Sequence, residues 1–211
     1  MADYRNPQWL LPNCKNLKLP ETGATTGSGL TADRHSLYSM EFDGGTSANK
    51  IVATGEKFNF VQQTGVFTIS CWFKLDNYNS NALQTIMQTN NSGTSGHGWW
   101  LAYDNRTGIE TKTLFFTVYR ATVGQQDRID KVSAISDNDW HFVTATGDGT
   151  NISLYLDGVS VATTSLTTSP SGVANNDFTI GDYNSSFGFD GKIDEVAIWN
   201  SDQKNNISNI H

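Results

Sequence analysis

The most regular alternation of apolar and polar residues lies at 151–162, on both sides of the pair Asp157-Gly158. An Asp-Gly pair between two alternating segments predicts a β-hairpin, because both central residues of a type I′ turn need a positive φ. A two-residue turn then places the apolar side chains of both strands on one face of the sheet. The predicted register pairs Leu156 with Val159 and Leu154 with Val161.

The same period of two recurs in short segments along most of the chain, and no long segment has the period of a helix. Turn-forming residues separate these segments. About a dozen short strands joined by turns are typical of an all-β sandwich, in which two sheets cover each other's apolar faces. The predicted strands cover 38–42, 51–54, 67–74, 83–88, 99–103, 114–119, 140–146, 152–156, 159–162, 178–180 and 192–200.

The two ends of the chain lack this alternation. The N-terminal end carries three of the four prolines and a Gly-rich segment, which predicts an irregular arm. Trp9, Leu10 and Leu11 are apolar, so the arm either folds back on its own domain or docks on a neighbouring protein subunit. The C-terminal tail either starts a short helix or continues a longer polypeptide. The predicted parts are an arm, a sandwich domain and a tail: 1–34, 35–201 and 202–211.

Charge and cysteine content exclude several classes of protein. With 14 basic and 21 acidic side chains the net charge is −7, which argues against a nucleic-acid partner and against docking on anionic lipid. No apolar segment is long enough for membrane insertion, and the first apolar residues stop at Pro12 without forming an export signal. Cys71 lies in a predicted strand and is expected to be a small buried side chain; a bridge to Cys14 stays open.

Several separate motifs follow one another in the order found in a known family. The segments SLYSMEFDG, FTISCWFKL, DNDWHFVTATGDGTNISLYLDGVSVA, FTIGDY and FDGKIDEVAIWN resemble laminin-G-like, concanavalin A-like lectin/glucanase jelly-roll domains. The resemblance implies two antiparallel sheets whose first and last strands pair side by side. Members of this family include glycan-binding modules, adhesion domains, hydrolases and virus-particle proteins, so the fold alone does not define a function.

The sequence favours a protein without catalytic activity. Glycosidases of related fold use two carboxylates that flank the scissile bond. Asp194 and Glu195 are the nearest candidates, but adjacent residues of a strand point to opposite faces of the sheet. The four histidines show no metal-binding spacing, and no nucleophile elbow is present.

The resemblance also implies a structural Ca²⁺ ion at the rim of the sandwich, although no cofactor is otherwise required. Carboxylates and carbonyls are the oxygen donors that Ca²⁺ prefers. If the terminal strands pair, Asp43 after the first strand could approach Asp194 at the start of the last, on the same inward face as Val196 and Ile198. The alternative is that Asp194 accepts backbone hydrogen bonds at a tight turn and that Asp43 is a solvated turn residue.

Sugar binding needs a flat aromatic side chain and nearby polar groups for the hydroxyls. Aromatic residues make up 11% of the chain, and several lie in loops or at strand ends. For each of them, packing in the core or at its rim is the alternative interpretation. The candidate ligand-binding residues are His97, Trp99, Trp100, Tyr183, Asn184 and Phe187.

These observations favour a binding or assembly module, and first of all a virion surface protein such as a phage capsid decoration or tail component with a glycan-binding adhesion role. Phage release by lysis needs no export signal, and an arm with apolar anchors suits assembly on neighbouring subunits. The first alternative is a lectin-type adhesion domain of a bacterial surface protein, with a cell-surface glycan as partner. The second is a glycoside hydrolase of the same fold. The expected location is the virion surface or the extracellular space.

Overall fold

The computed structural model describes residues 39–44, 49–89, 97–119, 126–167, 177–183 and 185–210. Within these ranges the chain forms twelve strands: β1 (Met40–Asp43), β2 (Ile51–Thr54), β3 (Val66–Leu75), β4 (Leu83–Gln88), β5 (Gly98–Asp104), β6 (Thr113–Tyr119), β7 (Gln126–Lys131), β8 (His141–Asp148), β9 (Asn151–Leu156), β10 (Val159–Ser165), β11 (Asp177–Ile180) and β12 (Asp190–Trp199). Two short helices are α1 (Phe60–Thr64) and α2 (Ile207–Ile210), each preceded by a 3₁₀ turn. Within the described ranges we find no helix with the length and apolar character that a membrane crossing requires.

The strands form two antiparallel six-stranded sheets that face each other. The first sheet has the order β1-β12-β3-β8-β9-β10, and the second has the order β2-β11-β4-β5-β6-β7. The predicted all-β sandwich and its jelly-roll form are confirmed, and so is the pairing of the first strand with the last. Half of the strand pairings, among them β1 with β12 and β3 with β8, join strands that are distant in sequence, so the fold depends on long-range pairing.

The core lies between the two sheets and is built from every second residue of the central strands. Phe67 and Phe73 of β3 are fully buried, as are Trp99 of β5 and Phe116 of β6. Rings from opposite sheets meet directly, with the centroids of Phe67 and Phe116 5.3 Å apart. Burial of these large apolar surfaces is the main stabilising contribution to the fold.

The predicted hairpin is present, with one difference in register. Asp157 and Gly158 have φ values of 50° and 76°, as a type I′ turn requires, and Val159 lies opposite Leu156. The pairing of Leu154 with Val161 is wrong, because a bulge in β10 shifts the register and places Ala162 opposite Leu154. Bulges insert one residue in one strand and are common at sheet edges, where β10 lies.

The predicted inward position of Asp194 is also wrong, because β12 contains a second bulge. Ile193 is buried in the core, and Val196 and Ile198 pack against the core as predicted. Between them the pairing with β3 jumps from Asp194–Trp72 to Ala197–Ser70, and Glu195 has a φ of 48°. The extra residue reverses the alternation, so Asp194 lies beside Trp72 on the outer face.

Three further features differ from the sequence prediction or add to it. Strand β7 was not predicted, because its sequence QDRIDK has few apolar residues; it pairs along the edge of the second sheet. The helical alternative for the tail is confirmed by α2, whose Ile207 is buried. Cys71 is buried with a free thiol, and burial raises its pKa. Cys14 lies outside the described residues.

Candidate functional site

The outer face of the second sheet carries one row of side chains that crosses all six strands. The register places them directly beside one another, on the opposite side from the core residues. The row begins with an apolar side chain at one edge of the sheet, has an aromatic side chain near its centre with polar side chains on both sides, and ends with a basic side chain at the other edge. Its members are Val52, Thr179, Gln88, Trp100, Thr117 and Arg128.

Trp100 is the centre of an aromatic group that we call the outer-face cluster. Its buried members are Leu83, Trp100, Ala102, Phe115 and Tyr183, and its partly buried members are Tyr119 and Phe187.

The rings of the outer-face cluster are packed on one another. The ring centroid of Trp100 lies 4.6 Å from that of Tyr183, and the rings of Tyr183 and Phe187 are stacked at 5.8 Å. The indole N–H of Trp100 donates a 3.1 Å hydrogen bond to Thr85 Oγ1. These contacts hold Trp100 and Tyr183 in buried positions, and the more accessible rings of the cluster are the partly buried Tyr119 and Phe187.

The chain that follows β11 brings Tyr183 and Phe187 onto the sheet. Gly181 has a φ of 88°, which allows the chain to leave β11 sharply. The backbone N–H of Thr85 in β4 then donates a 3.0 Å hydrogen bond to the Phe187 carbonyl. This segment therefore lies alongside β4, and the side chains of Tyr183 and Phe187 contact Trp100.

Charged side chains border the outer-face cluster. The Arg106 guanidinium lies 5.7 Å from the Phe187 ring centroid and binds Asp104, whose carboxylate is buried, at 2.7 Å. This hydrogen bond raises the pKa of Arg106. The Arg128 guanidinium lies 4.2 Å from the Phe115 ring centroid. It also donates to Glu110 at 2.8 Å and to Asp130 at 2.6 Å.

Two buried oxygen atoms beside the outer-face cluster have no hydrogen-bond donor within the part of the chain that the structure describes. They are Oε1 of Gln88 and Oδ1 of Asp182. Gln88 donates through Nε2 to Thr179 Oγ1 at 2.6 Å, and Thr179 donates to the Asp182 carbonyl at 2.7 Å. The other carboxylate oxygen of Asp182 accepts from the Ser185 N–H at 3.0 Å and from Lys50 Nζ at 3.4 Å.

The structure brings together three of the six candidate ligand-binding residues, namely Trp100, Tyr183 and Phe187. Trp99 is fully buried in the main core, which is the packing alternative. His97 is half-buried and immediately precedes β5. Asn184 lies outside the described residues.

The sequence analysis missed one aromatic residue and all the polar residues of this site. Phe115 could have been found, because it alternates with the core residue Phe116 and must face outward. Nothing in the sequence links Gln88 with Asp182, or Arg128 with Glu110. These pairs come from chain segments far apart in sequence that only the sheet register makes neighbours.

The predicted calcium ligands are not brought together. The register places Asp43 opposite Asp190, whereas Asp194 lies further along β12 and accepts a hydrogen bond from the adjacent Glu195 N–H at 2.8 Å. An open pocket of about 500 Å³ is instead lined by Glu41, Phe42, Asp43, Asn49, Asp76 and Asp190. Burial, Asp76 and Asp43 raise the pKa of Asp190.

The oxygen-rich lining of this pocket has the right chemistry for a hard cation. The described residues nevertheless contain no group of three or more carboxylate, histidine or cysteine side chains arranged to hold a metal ion. The calcium site therefore stays a prediction of the resemblance.

Together these features define a jelly-roll β-sandwich with an aromatic cluster on one outer face. The chain belongs to the concanavalin A-like lectin/glucanases superfamily, whose family model matches residues 38–203. The comparison with curated proteins gives no significant match.

Solved structures of similar fold include carbohydrate-binding and toxin domains. The IT-sialidase CBM40 of Ruminococcus gnavus covers 82% of this chain and 96% of its own, at 15% identity and a TM-score of 0.61. Another structure of that module is bound to α2,3 sialyllactose, with the same TM-score and identity, covering 82% of this chain and 95% of its own. The binding domain of botulinum neurotoxin DC, in complex with SialylT, covers 81% of this chain and 42% of its own, at 18% identity and a TM-score of 0.59. At such identities the similarity shows the fold alone.

Proposed function

We propose that this protein is a non-catalytic glycan-binding module whose site is the accessible edge of the outer-face cluster. The observation that carries the proposal is the partly exposed Phe187 ring, held against buried aromatic rings and bordered by Arg106. A rigid ring of this kind offers a flat apolar surface to one face of a sugar, and the neighbouring polar groups can bind its hydroxyls. The similar modules bound to sialyllactose support a glycan as the ligand.

The absence of catalysis is part of this proposal. Asp194 and Glu195, the carboxylates that came nearest to a glycosidase pair, occupy a bulge on the outer side of the first sheet. The outer-face cluster belongs to the second sheet, so the two carboxylates cannot act on a sugar bound there. A hydrolase assay against any glycan that binds should give no product.

The proposal is tested by glycan-array screening followed by calorimetric titration of the best ligand. Phe187→Ala should weaken binding about tenfold, which corresponds to about 1.4 kcal/mol. The matched control is Tyr155→Ala, which removes a half-buried aromatic residue from the outer face of the other sheet. Equal effects of the two variants would place the site elsewhere, and an array without any bound glycan would refute the function.

Assembly in a virus particle stays a prediction of the sequence. The arm residues Trp9, Leu10 and Leu11 lie outside the described residues. Sedimentation of the full chain and of a chain lacking 1–30 tests this role. Loss of an oligomer on deletion would support it, and a monomer in both cases would count against it.

A further inference from the structure

We infer that the sugar bound at the outer-face cluster is neutral and donates hydroxyl hydrogen bonds to Asp182 and Gln88, in contrast to the sialylated ligands of the similar modules. This inference rests on the proposed function. It concerns the ligand class, and it assigns two residues that the sequence did not indicate.

The first argument is that both guanidinium groups at the site already have carboxylate partners. Arg106 donates to both oxygens of Asp104, at 3.0 Å from Nε and 2.7 Å from Nη2. Arg128 donates to Glu110 and Asp130. These carboxylates neutralise both guanidinium groups, so an anionic ligand that bound their remaining N–H groups would lie close to like charges.

The local charge leads to the same conclusion. Among the described residues at the border of the outer-face cluster, three carboxylates accompany two guanidinium groups. The buried Asp182 adds a further carboxylate, partly offset by Lys50, whose side chain is 38% exposed. A sialic acid carboxylate would therefore enter a site without excess positive charge, whereas a neutral sugar would lose no Coulomb energy.

The second argument is the pair of buried acceptors without donors. The single hydroxyl proton of Thr179 is used on the Asp182 carbonyl. Thr179 Oγ1 can therefore only accept from Gln88, which fixes the amide with its N–H₂ toward Thr179 and Oε1 away from it. Oε1 of Gln88 and Oδ1 of Asp182 then remain without a donor in the described part of the chain.

Such oxygens require a donor, since leaving a buried acceptor unpaired costs about 1–3 kcal/mol. Gln88 lies directly beside Trp100 in the sheet, and Asp182 precedes Tyr183, so both border the outer-face cluster. A sugar hydroxyl can supply the proton; neutral and sialylated sugars both carry hydroxyls, so only the local charge favours the neutral class. The Lys50 ammonium group lies 3.4 Å from Oδ2 of Asp182, the other carboxylate oxygen, and so leaves Oδ1 without a donor among the residues that the structure describes.

The test compares neutral oligosaccharides with their sialylated counterparts on the same core, first on an array and then by calorimetric titration. We expect the neutral members to bind at least as tightly as the sialylated ones. Binding that requires sialic acid would overturn the inference and leave the proposed function intact. Absence of binding to every glycan would overturn the proposed function, and the inference with it.

Two variants identify the residues. Asp182→Asn keeps the side-chain shape and should weaken neutral-sugar binding about tenfold, whereas Asp139→Asn, an exposed carboxylate outside the site, should have no effect. An unchanged affinity in a folded Asp182→Asn protein would mean that water alone satisfies these oxygens, and would overturn the assignment.

The double variant Glu110→Gln/Asp130→Asn releases Arg128 and does not alter Asp182. It should strengthen sialyllactose binding severalfold relative to lactose. An unchanged ratio would refute the role given to the arginine pairs, and this test does not depend on whether Asp182→Asn folds.

Discussion

Replacing Gly181 by Ala should destabilise the protein and displace the turn that carries the outer-face cluster. Gly181 has a φ of 88°, and a Cβ atom placed there would overlap carbon atoms of the Phe42 ring. Phe42 is 2% exposed and packs edge-to-face on Phe189, with ring centroids 6.2 Å apart, so it has little space to move. The substitution therefore adds backbone strain and steric overlap at one position.

The magnitude follows from two contributions. A left-handed backbone costs a residue with a Cβ about 1–2 kcal/mol, and overpacking a core typically costs about 1–3 kcal/mol. The expected loss is about 2–5 kcal/mol. For a chain of this size each kcal/mol lowers the Tm by roughly 2–4 °C, so the Tm should fall by about 4–20 °C.

The matched control is Gly108→Ala. Gly108 is exposed, has a φ of 77° and has no atom within 4 Å of the added Cβ, so only the backbone cost of about 1–2 kcal/mol applies. Calorimetry and urea unfolding of both variants measure the difference. Equal losses in Gly181→Ala and Gly108→Ala would refute the close packing of Phe42 on Gly181.

A double-mutant cycle separates the two contributions further. In a Phe42→Ala background the overlap disappears, and Gly181→Ala should then cost no more than Gly108→Ala. The coupling free energy should be about 1–3 kcal/mol. Because Gly181 precedes Asp182 and Tyr183, the single variant should also weaken glycan binding.

Three further predictions concern carboxylates. The backbone N–H groups of Asn151 and Thr150, and then Lys204, lower the pKa of Asp148 to about 2. Asp148→Asn should therefore cost about 1 kcal/mol at pH 7 after allowance for solvent screening, and urea unfolding should show the difference shrinking as pH falls from 4 to 2. The pKa of Asp190 is raised instead, so its negative charge opposes folding at neutral pH. Asp190→Asn should therefore raise the free energy of unfolding by less than about 1 kcal/mol. This gain should vanish at low pH, where the carboxyl group of the wild-type protein is protonated. If Ca²⁺ binds the acidic pocket, it should raise the wild-type Tm relative to EDTA and Asp43→Asn should abolish the rise; an equal Tm in both buffers would remove the calcium site.

Much of the fold could be predicted because strand positions follow from local alternation. The hairpin at Asp157-Gly158 and the inward side of β3 depend only on residues close together in the chain. Strand β7 could not be predicted in this way, because its pairing with β6 is made by backbone hydrogen bonds that leave little apolar signal.

The candidate site was predicted less completely. The aromatic residues Trp100, Tyr183 and Phe187 could be named, since their size and their positions in loops or at strand ends indicated them. Their contact with one another depends on the turn after Gly181. The burial of Trp99 in the main core depends on which face of β5 points inward. The sequence of a strand indicates which face lies in the core only when the other face is polar. Both faces of β5 are largely apolar, so its sequence does not identify the core face.

The sequence by itself determined the family, the two-layer architecture and most strands, because burial of every second side chain is a local requirement. Tertiary structure alone decided the chemistry of the outer face. The bulge in β12 moved Asp194 away from the core, and the turn after β11 placed Asp182 beside Gln88. Side chains that are distant in sequence become partners only through sheet register, and one inserted residue changes which face every following side chain occupies.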